Sequence, residues 1–179
     1  MNKNFYKGGL MMKKTVEVKT TIKKLFDTIS SVENHNFVID EWYDQKNSIQ
    51  IMNERNEWIN IKKLVKKNTN TTKIDFTNGI SKIVAANHLI GNYYNGEWCF
   101  QFAERLKPGN IIQIANQETL IVKSNEPNVV MDVYDFEVDS ESHLYQTADG
   151  IINHNSQKGK SLIADAWLGK NIEAGGISF

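Results

Sequence analysis

The chain has one cysteine, Cys99, only two prolines, Pro108 and Pro127, and no charge imbalance, with Lys+Arg and Asp+Glu at 21 each. A single cysteine excludes an internal disulfide framework and fits a reducing compartment. Balanced charge gives no electrostatic reason to expect nucleic acid or a membrane surface as partner. No apolar run approaches the roughly 20 residues that a helix needs to cross a bilayer. The opening MNKNFYKGGLMMKK lacks an apolar stretch of signal-peptide length. These absences point to a soluble, cytoplasmic protein. The 179 residues suffice for one domain with a real core and an appendage.

What is present is mostly short alternating runs. TVEVKTT alternates and is rich in β-branched residues, and IKKLFDTI after it fits a helical turn or more. FVIDEWY, SIQIMN and EWINIKKLV alternate in turn, separated by DQKN and NERN, whose turn chemistry predicts hairpins. Asn78-Gly79 is the sharpest hairpin signal, and Asn95-Gly96 is another. RLKPGNIIQI reads as a short turn or helical piece, a Pro-Gly break and a strand. QETLIVKS, NVVMDVYDFEVDS and DGIINHN continue the series to Asn155. Many short strands at roughly ten-residue spacing predict an all-β domain of the curled, compact kind. Cys99, in the strand after Trp98, reads as a small core residue.

At Ser156 the texture changes. SLIADAWLGKNIEAGG carries Leu162, Ile163, Ala166, Trp167 and Ile172 at helical spacing, ends in Gly-Gly and leads into ISF, a strand start. The fragment is too short to fold alone. SQKGKS, from Ser156 to Ser161, matches the end of a Gly-x-x-x-x-Gly-Lys-Ser phosphate loop, but the position of the first glycine is His154.

The junction itself has chemistry. An Asn side-chain amide can attack its own main-chain carbonyl, closing a five-membered succinimide and releasing the next residue as a new N-terminus. Here Asn155 would release Ser156. Gln would need a six-membered ring, and an Asp carboxylate is a poor nucleophile for this step. A neighbouring histidine, His154, can stabilise the carbonyl oxygen or protonate the departing amine, and the Ser156 hydroxyl can accept an acyl group. The pair alone says little, because the chain holds 21 Asn and Asn-Ser recurs at Asn47-Ser48.

The wider pattern says more. VYDFEVDSESHLYQTADGIINHNS, Val133 to Ser156, resembles the C-terminal splicing motifs of inteins. There a Val-Tyr-Asp strand leads through a His-aromatic segment to an apolar strand ending His-Asn and then Cys, Ser or Thr. TNGISKIVAANHLIGNYYNGEWCFQFAERLKPGNII, Thr77 to Ile112, resembles the family's internal histidine motif. His88, His143 and His154 fall on positions the family uses. The resemblance covers roughly residues 15–156, with two departures. Ala85 stands where the family has the Thr of Thr-x-x-His, which puts more of the first acyl shift on His88 and backbone groups. Asn110 replaces an Asp, a change expected to be local.

The resemblance implies a Hint fold, a horseshoe of curled antiparallel strands. It also implies that a segment is missing. An intein opens with Cys, Ser or Ala in a motif like Cys-x-x-Gly-Asp-Thr-x-Val, and no such motif precedes Thr15. The expectation is a split intein cut close to its N-terminus: a leader of uncertain origin at 1–14, the C-terminal intein fragment at 15–155 and host (extein) sequence at 156–179. Met1 would be the fragment's own start. A short N-terminal partner would bring the first nucleophile and complete the fold. No insert between Ile112 and Val129 has room for a homing endonuclease.

Family roles carry over as follows. The partner's nucleophile takes the N-terminal acyl group while His88 protonates the scissile nitrogen. Ser156 attacks the resulting ester, positioned by Asp135. Asn155 cyclises, assisted by His143 and His154. The reaction is single-turnover and needs no cofactor, metal, membrane or nucleic acid. Splicing would complete the phosphate loop in the host, where Gly159, Lys160 and Ser161 would bind ATP and Mg²⁺. The tail resembles a RecA-like recombinase of a phage type, with DNA as a possible host partner, and a terminase or helicase ATPase as runner-up. Two other classes stand beside this one: a Hint-type domain that cleaves without ligating, and a P-loop ATPase with a regulatory β insertion.

Overall fold

The computed structural model describes residues 16–155. The tail helix and strand expected after Ser156 lie outside these residues. The regular structure of the described residues is mainly antiparallel β, in three open four-stranded sheets with no closed barrel, beside one α-helix and two short 3-10 turns. The all-β expectation holds.

The helix α1 (Ile22–Glu33) is longer than the single turn needed to explain IKKLFDTI. The Thr21 hydroxyl caps it by accepting from the Lys24 N–H, and Asn34 ends it in the left-handed conformation, φ 49°. Its apolar face buries Phe26 and Ile29. Phe26 packs edge-on to Tyr134 with ring centroids 5.0 Å apart. The strand expected in TVEVKTT does not form: residues 16–20 pair with nothing regular, and Val16 and Val18 are about 70% exposed. Alternation makes a strand only where a sheet edge receives it, and Thr21 is spent on the helix cap.

The first sheet is built on β3 (Trp58–Thr69), flanked by β1 (Trp42–Asp44), β2 (Gln50–Met52) and β10 (Met131–Val138). NERN makes the expected hairpin between β2 and β3: buried Asn53 accepts from the N–H groups of Arg55 and Glu57, both at 2.9 Å. DQKN does not. It links β1 and β2, which pair with successive stretches of β3 and not with each other. A turn-rich tetrapeptide shows only that the chain leaves a strand, and the length of β3 lets it serve both.

The second sheet runs β5 (Ser81–Ala85), β4 (Thr71–Phe76), β9 (Thr119–Pro127), β8 (Ile111–Gln113). Asn78-Gly79 closes the β4–β5 hairpin, with Gly79 at φ 90°. Asn110, the local departure, accepts from the Lys107 N–H at 2.7 Å and shapes the turn before β8. The third sheet runs β11 (Leu144–Gln146), β12 (Ile152–His154), β6 (Leu89–Tyr94), β7 (Glu97–Phe102). Asn95 and Gly96 join β6 to β7 with positive φ at both positions, as the primed hairpin turn requires. Cys99 on β7 is half-buried, not a core residue, and burial followed by the Glu97 carboxylate pushes its thiol pKa up.

Two long ribbons organise the whole. β3 passes into β4 through Asn70 alone, and β9 leads to β10 through a short link. Because β3 pairs with β10 and β4 with β9, the ribbons run side by side from the second sheet into the first. Buried Thr71 and Thr72 sit where they bend. Thr71 donates to the Val129 carbonyl at 2.6 Å, Thr72 to that of Glu126 at 3.0 Å, and Asn128 donates to the Thr71 hydroxyl at 3.1 Å. The main cores lie to either side: Ile74, Phe76, Ile112 and Val122 among others in one, Leu64, Phe136 and Tyr145 with the helix residues in the other.

A third, smaller cluster of Ala115, Leu144 and Ile152 joins β12 to the rest. Gly91 on β6 makes that approach possible, since a Cβ there would meet Phe100 Cε1 at 3.1 Å and Ile152 Cβ at 3.3 Å. Gly91→Ala is therefore expected to lower stability by about 1–3 kcal/mol, the usual cost of overpacking, read as a shifted midpoint in denaturant.

Candidate functional site

The site is assembled on β12. Before it, Thr147–Gly150 form a tight turn in which Gly150 adopts φ 84° and donates to the Thr147 carbonyl at 2.8 Å. The Asp149 carboxylate fixes that turn. It accepts from the Thr147 hydroxyl at 2.6 Å and the Ile151 N–H at 3.2 Å, and it pairs with Lys82 of β5 at 2.5 Å. β12 then lies between β11 and β6, with His154 opposite Leu144 and Asn153 opposite both Tyr145 and Ile90.

Asn155 follows directly and is 2% exposed. Its N–H donates to the His143 carbonyl at 2.9 Å. His143 itself is held in the left-handed conformation, φ 56°, in a turn where its N–H meets the Ser140 carbonyl at 3.2 Å. That turn is braced from outside by Ser142, whose hydroxyl donates to the Glu54 carboxylate at 3.2 Å from the β2–β3 hairpin. The main chain on the N-terminal side of Asn155 is thus clamped.

The His154 ring lies over its own strand end, with Nδ1 3.0 Å from the Asn155 carbonyl oxygen. A carbonyl only accepts, so this bond requires the proton on Nδ1. Phe100 stands edge-on at 5.5 Å and the His143 ring at 6.0 Å. Burial drives the His154 pKa down, the bond to Asn155 pushes it back up, His143 and His88 lower it further, and Asp135 raises it, for a result of about 4. His154 is neutral at pH 7. It polarises the carbonyl as a hydrogen-bond donor, in the direction that stabilises negative charge on that oxygen.

His88 follows the β5 end. Its N–H bonds the Ala85 carbonyl at 2.9 Å, and its own carbonyl accepts from Ala103 at 2.8 Å. The half-buried ring reaches β12, with Nε2 2.9 Å from Asn153 Oδ1. Asp135, on β10 opposite Val65, accepts from its neighbour Phe136 N–H at 2.8 Å. Its carboxylate acts electrostatically on His154 and on Tyr145, whose pKa is raised first by complete burial and then by Asp135.

The structure therefore brings five of the anticipated residues together: His88, Asp135, His143, His154 and Asn155. Ser156, Gly159, Lys160 and Ser161 lie outside the described residues. Asn153 is the member that sequence reasoning missed. Its one signal is a polar residue in an apolar run, Ile151-Ile152-Asn153. Among the described residues, no group of three or more His, Cys, Asp or Glu side chains is placed to hold a metal ion, and no helix is long and apolar enough to cross a membrane.

Solved inteins share this architecture. The VidaL intein, as its selenomethionine variant, is 25% identical, with 86% of this chain and 90% of that chain covered and a TM-score of 0.57. The transcription factor IIB Mvu mini-intein is 14% identical over 76% of this chain and 90% of that one, with a TM-score of 0.61. An intein from a hyperthermophile is 19% identical over 76% and 88%, with a TM-score of 0.59. No protein-family model matches the chain, and no curated protein sequence does. The fold is the Hint fold of inteins.

The His154 environment has a measurable consequence. The unfolded chain takes up this proton near pH 6.5 and the folded chain only near 4, so protonation favours unfolding. The linked stability is complete above pH 6.5 and is lost as pH falls toward 4, by on the order of 3 kcal/mol. NMR titration should place the His154 imidazole near pH 4. In denaturant melts, His154→Gln should flatten the fall in stability across that window.

Proposed function

We propose that residues 15–155 are the long C-terminal part of a split intein, which joins a short N-terminal partner segment and splices in trans. The observation that carries this reading is the His154 bond to the Asn155 carbonyl, in an intein-type fold, beside a main chain clamped at the Asn155 N–H. The bond that would be cut, Asn155–Ser156, is the one whose carbonyl is polarised.

In the cleavage step the Asn155 Nδ2 lone pair attacks the Asn155 carbonyl carbon, and a C–N bond forms. Charge collects on the carbonyl oxygen, where the His154 Nδ1–H meets it. The bond to the Ser156 nitrogen then breaks, the nitrogen leaves with a proton as an amine, and Nδ2 gives up one of its own. His143, next to His154, is assigned to this proton traffic. Burial of the residue favours the ring closure by restricting the side chain.

The earlier steps follow the same scheme. In this reading the partner segment brings the first nucleophile together with the N-terminal host half. His88 protonates the amide nitrogen at that junction. Ser156 attacks the ester, with Asp135 positioning it, and after Asn155 cyclises an O-to-N acyl shift leaves an ordinary peptide bond. The joined host would read Gly-x-Ser156-Gln157-Lys158-Gly159-Lys160-Ser161, a complete phosphate loop for ATP and Mg²⁺. We assign it to a RecA-like ATPase of a phage, acting in the host cytoplasm.

Mixing the chain with a segment that carries the Cys-x-x-Gly-Asp-Thr-x-Val start should yield a ligated host product, scored by mass spectrometry. Cleavage without ligation would instead favour the autocleaving Hint alternative. Asn155→Ala should abolish release of residues 156–179, and spliced product at the parent rate would sink the assignment. His88→Ala should slow the N-terminal step by about 10²-fold or more, with a far smaller effect at Asn155. Before splicing, the chain should bind Mg-ATP at background level by calorimetry.

A further inference from the structure

We propose that Asn153 is a positioning residue for His88: its amide fixes the imidazole as the Nε2–H tautomer and so selects Nδ1 as the nitrogen that exchanges a proton with the reacting amide. The inference rests on the splicing reading for the role of His88, but its geometry stands independently. Asn153 is 5% exposed on β12, where its neighbours Ile151 and Ile152 are buried apolar residues. A polar side chain in such a row is costly unless both ends of its amide are satisfied. Both are.

The orientation of the amide follows from its second partner. Asn153 Nδ2 donates to the Ile151 carbonyl at 2.9 Å. Turning the amide over would set two oxygens against each other in a buried site. Oδ1 must therefore face His88 Nε2, which lies 2.9 Å away. An amide oxygen only accepts, so Nε2 must carry the proton, and the lone pair of the neutral ring falls on Nδ1. A ring without this partner is free to sample both tautomers, and the fraction with its proton on Nδ1 presents the wrong nitrogen.

Asn153 also joins two parts of the reaction. It lies on the strand that leads into Asn155, two residues before it, and its backbone is held by β11 on one side and β6 on the other. His88 therefore takes its tautomer from the strand that leads into the cleavage residue. A displacement of β12 removes the lock on His88.

The test is two-bond ¹H–¹⁵N correlation spectroscopy of histidine-labelled 179-residue chain, at a pH where the ring is neutral. Wild type should show His88 with a protonated Nε2 and an unprotonated Nδ1. Asn153→Leu keeps the bulk and removes the acceptor, and should give a mixture of tautomers. Asn153→Ala serves the same purpose if the leucine variant does not fold, as judged by near-ultraviolet circular dichroism. Asn153→Asp retains an acceptor and should restore the single Nε2–H form. A wild-type Nδ1–H ring, or an unchanged single Nε2–H form in the folded Leu or Ala variant, would overturn the proposal. Release of residues 156–179 from the wild-type chain mixed with the N-terminal partner segment, followed by mass spectrometry, separates the two readings: its absence counts against splicing and leaves the tautomer result standing.

Discussion

The bend of the two long ribbons is the constraint on which the rest depends. Strands longer than about ten residues twist and curl, but a sharp change of direction in two paired strands leaves backbone groups that the ladder no longer satisfies. Here the hydroxyls of Thr71 and Thr72 take over that task, and the amide of Asn128 donates to the Thr71 hydroxyl. Asn125 extends the arrangement, donating to the carbonyls of Ala103 and Leu106, both at 2.8 Å. Ala103 in turn donates to His88. The bend thus reaches the histidine through one residue, and an error in it would be felt at the ring.

Around the candidate cleavage bond, the fold does two opposed things. It removes water, which raises the worth of every fixed dipole near the carbonyl. It also places two polar side chains, Asn153 and Asn155, in a region that could have been apolar. Removing charge reconciles these. His154 is neutral, so its donor carries no net charge into the interior, and the carboxylate of Asp135 sits on β10, in a different sheet. The site is polar without being ionic at its centre.

Local chemistry was legible in the sequence, and pairing was not. Asn78-Gly79 and Asn95-Gly96 made their hairpins because the turn demands positive φ and those residues accept it. DQKN misled because turn residues do not say which strand comes next to which. TVEVKTT misled because a strand exists only with a neighbour. The histidines and Asn155 were singled out through the motif resemblance, and the fold places them near one another. Asn153 could not be found that way: its importance lies in His88, 65 residues away, and nothing short of the folded register connects them. The tail's reading as half of a phosphate loop rests on the order of its residues alone.

The clamp on the Asn155 N–H sits on the side of the residue that cyclisation leaves alone. Ring closure consumes the side-chain nitrogen and the carbonyl, while the main-chain N–H keeps its bond to His143. The fold would therefore not have to loosen its grip to let the tail depart, and no refolding step separates bond breaking from release. Were the bond cut as proposed, the new chain end would stay buried where it was made, held through its N–H by the His143 carbonyl. The forward direction would then be favoured by geometry as well as by dilution.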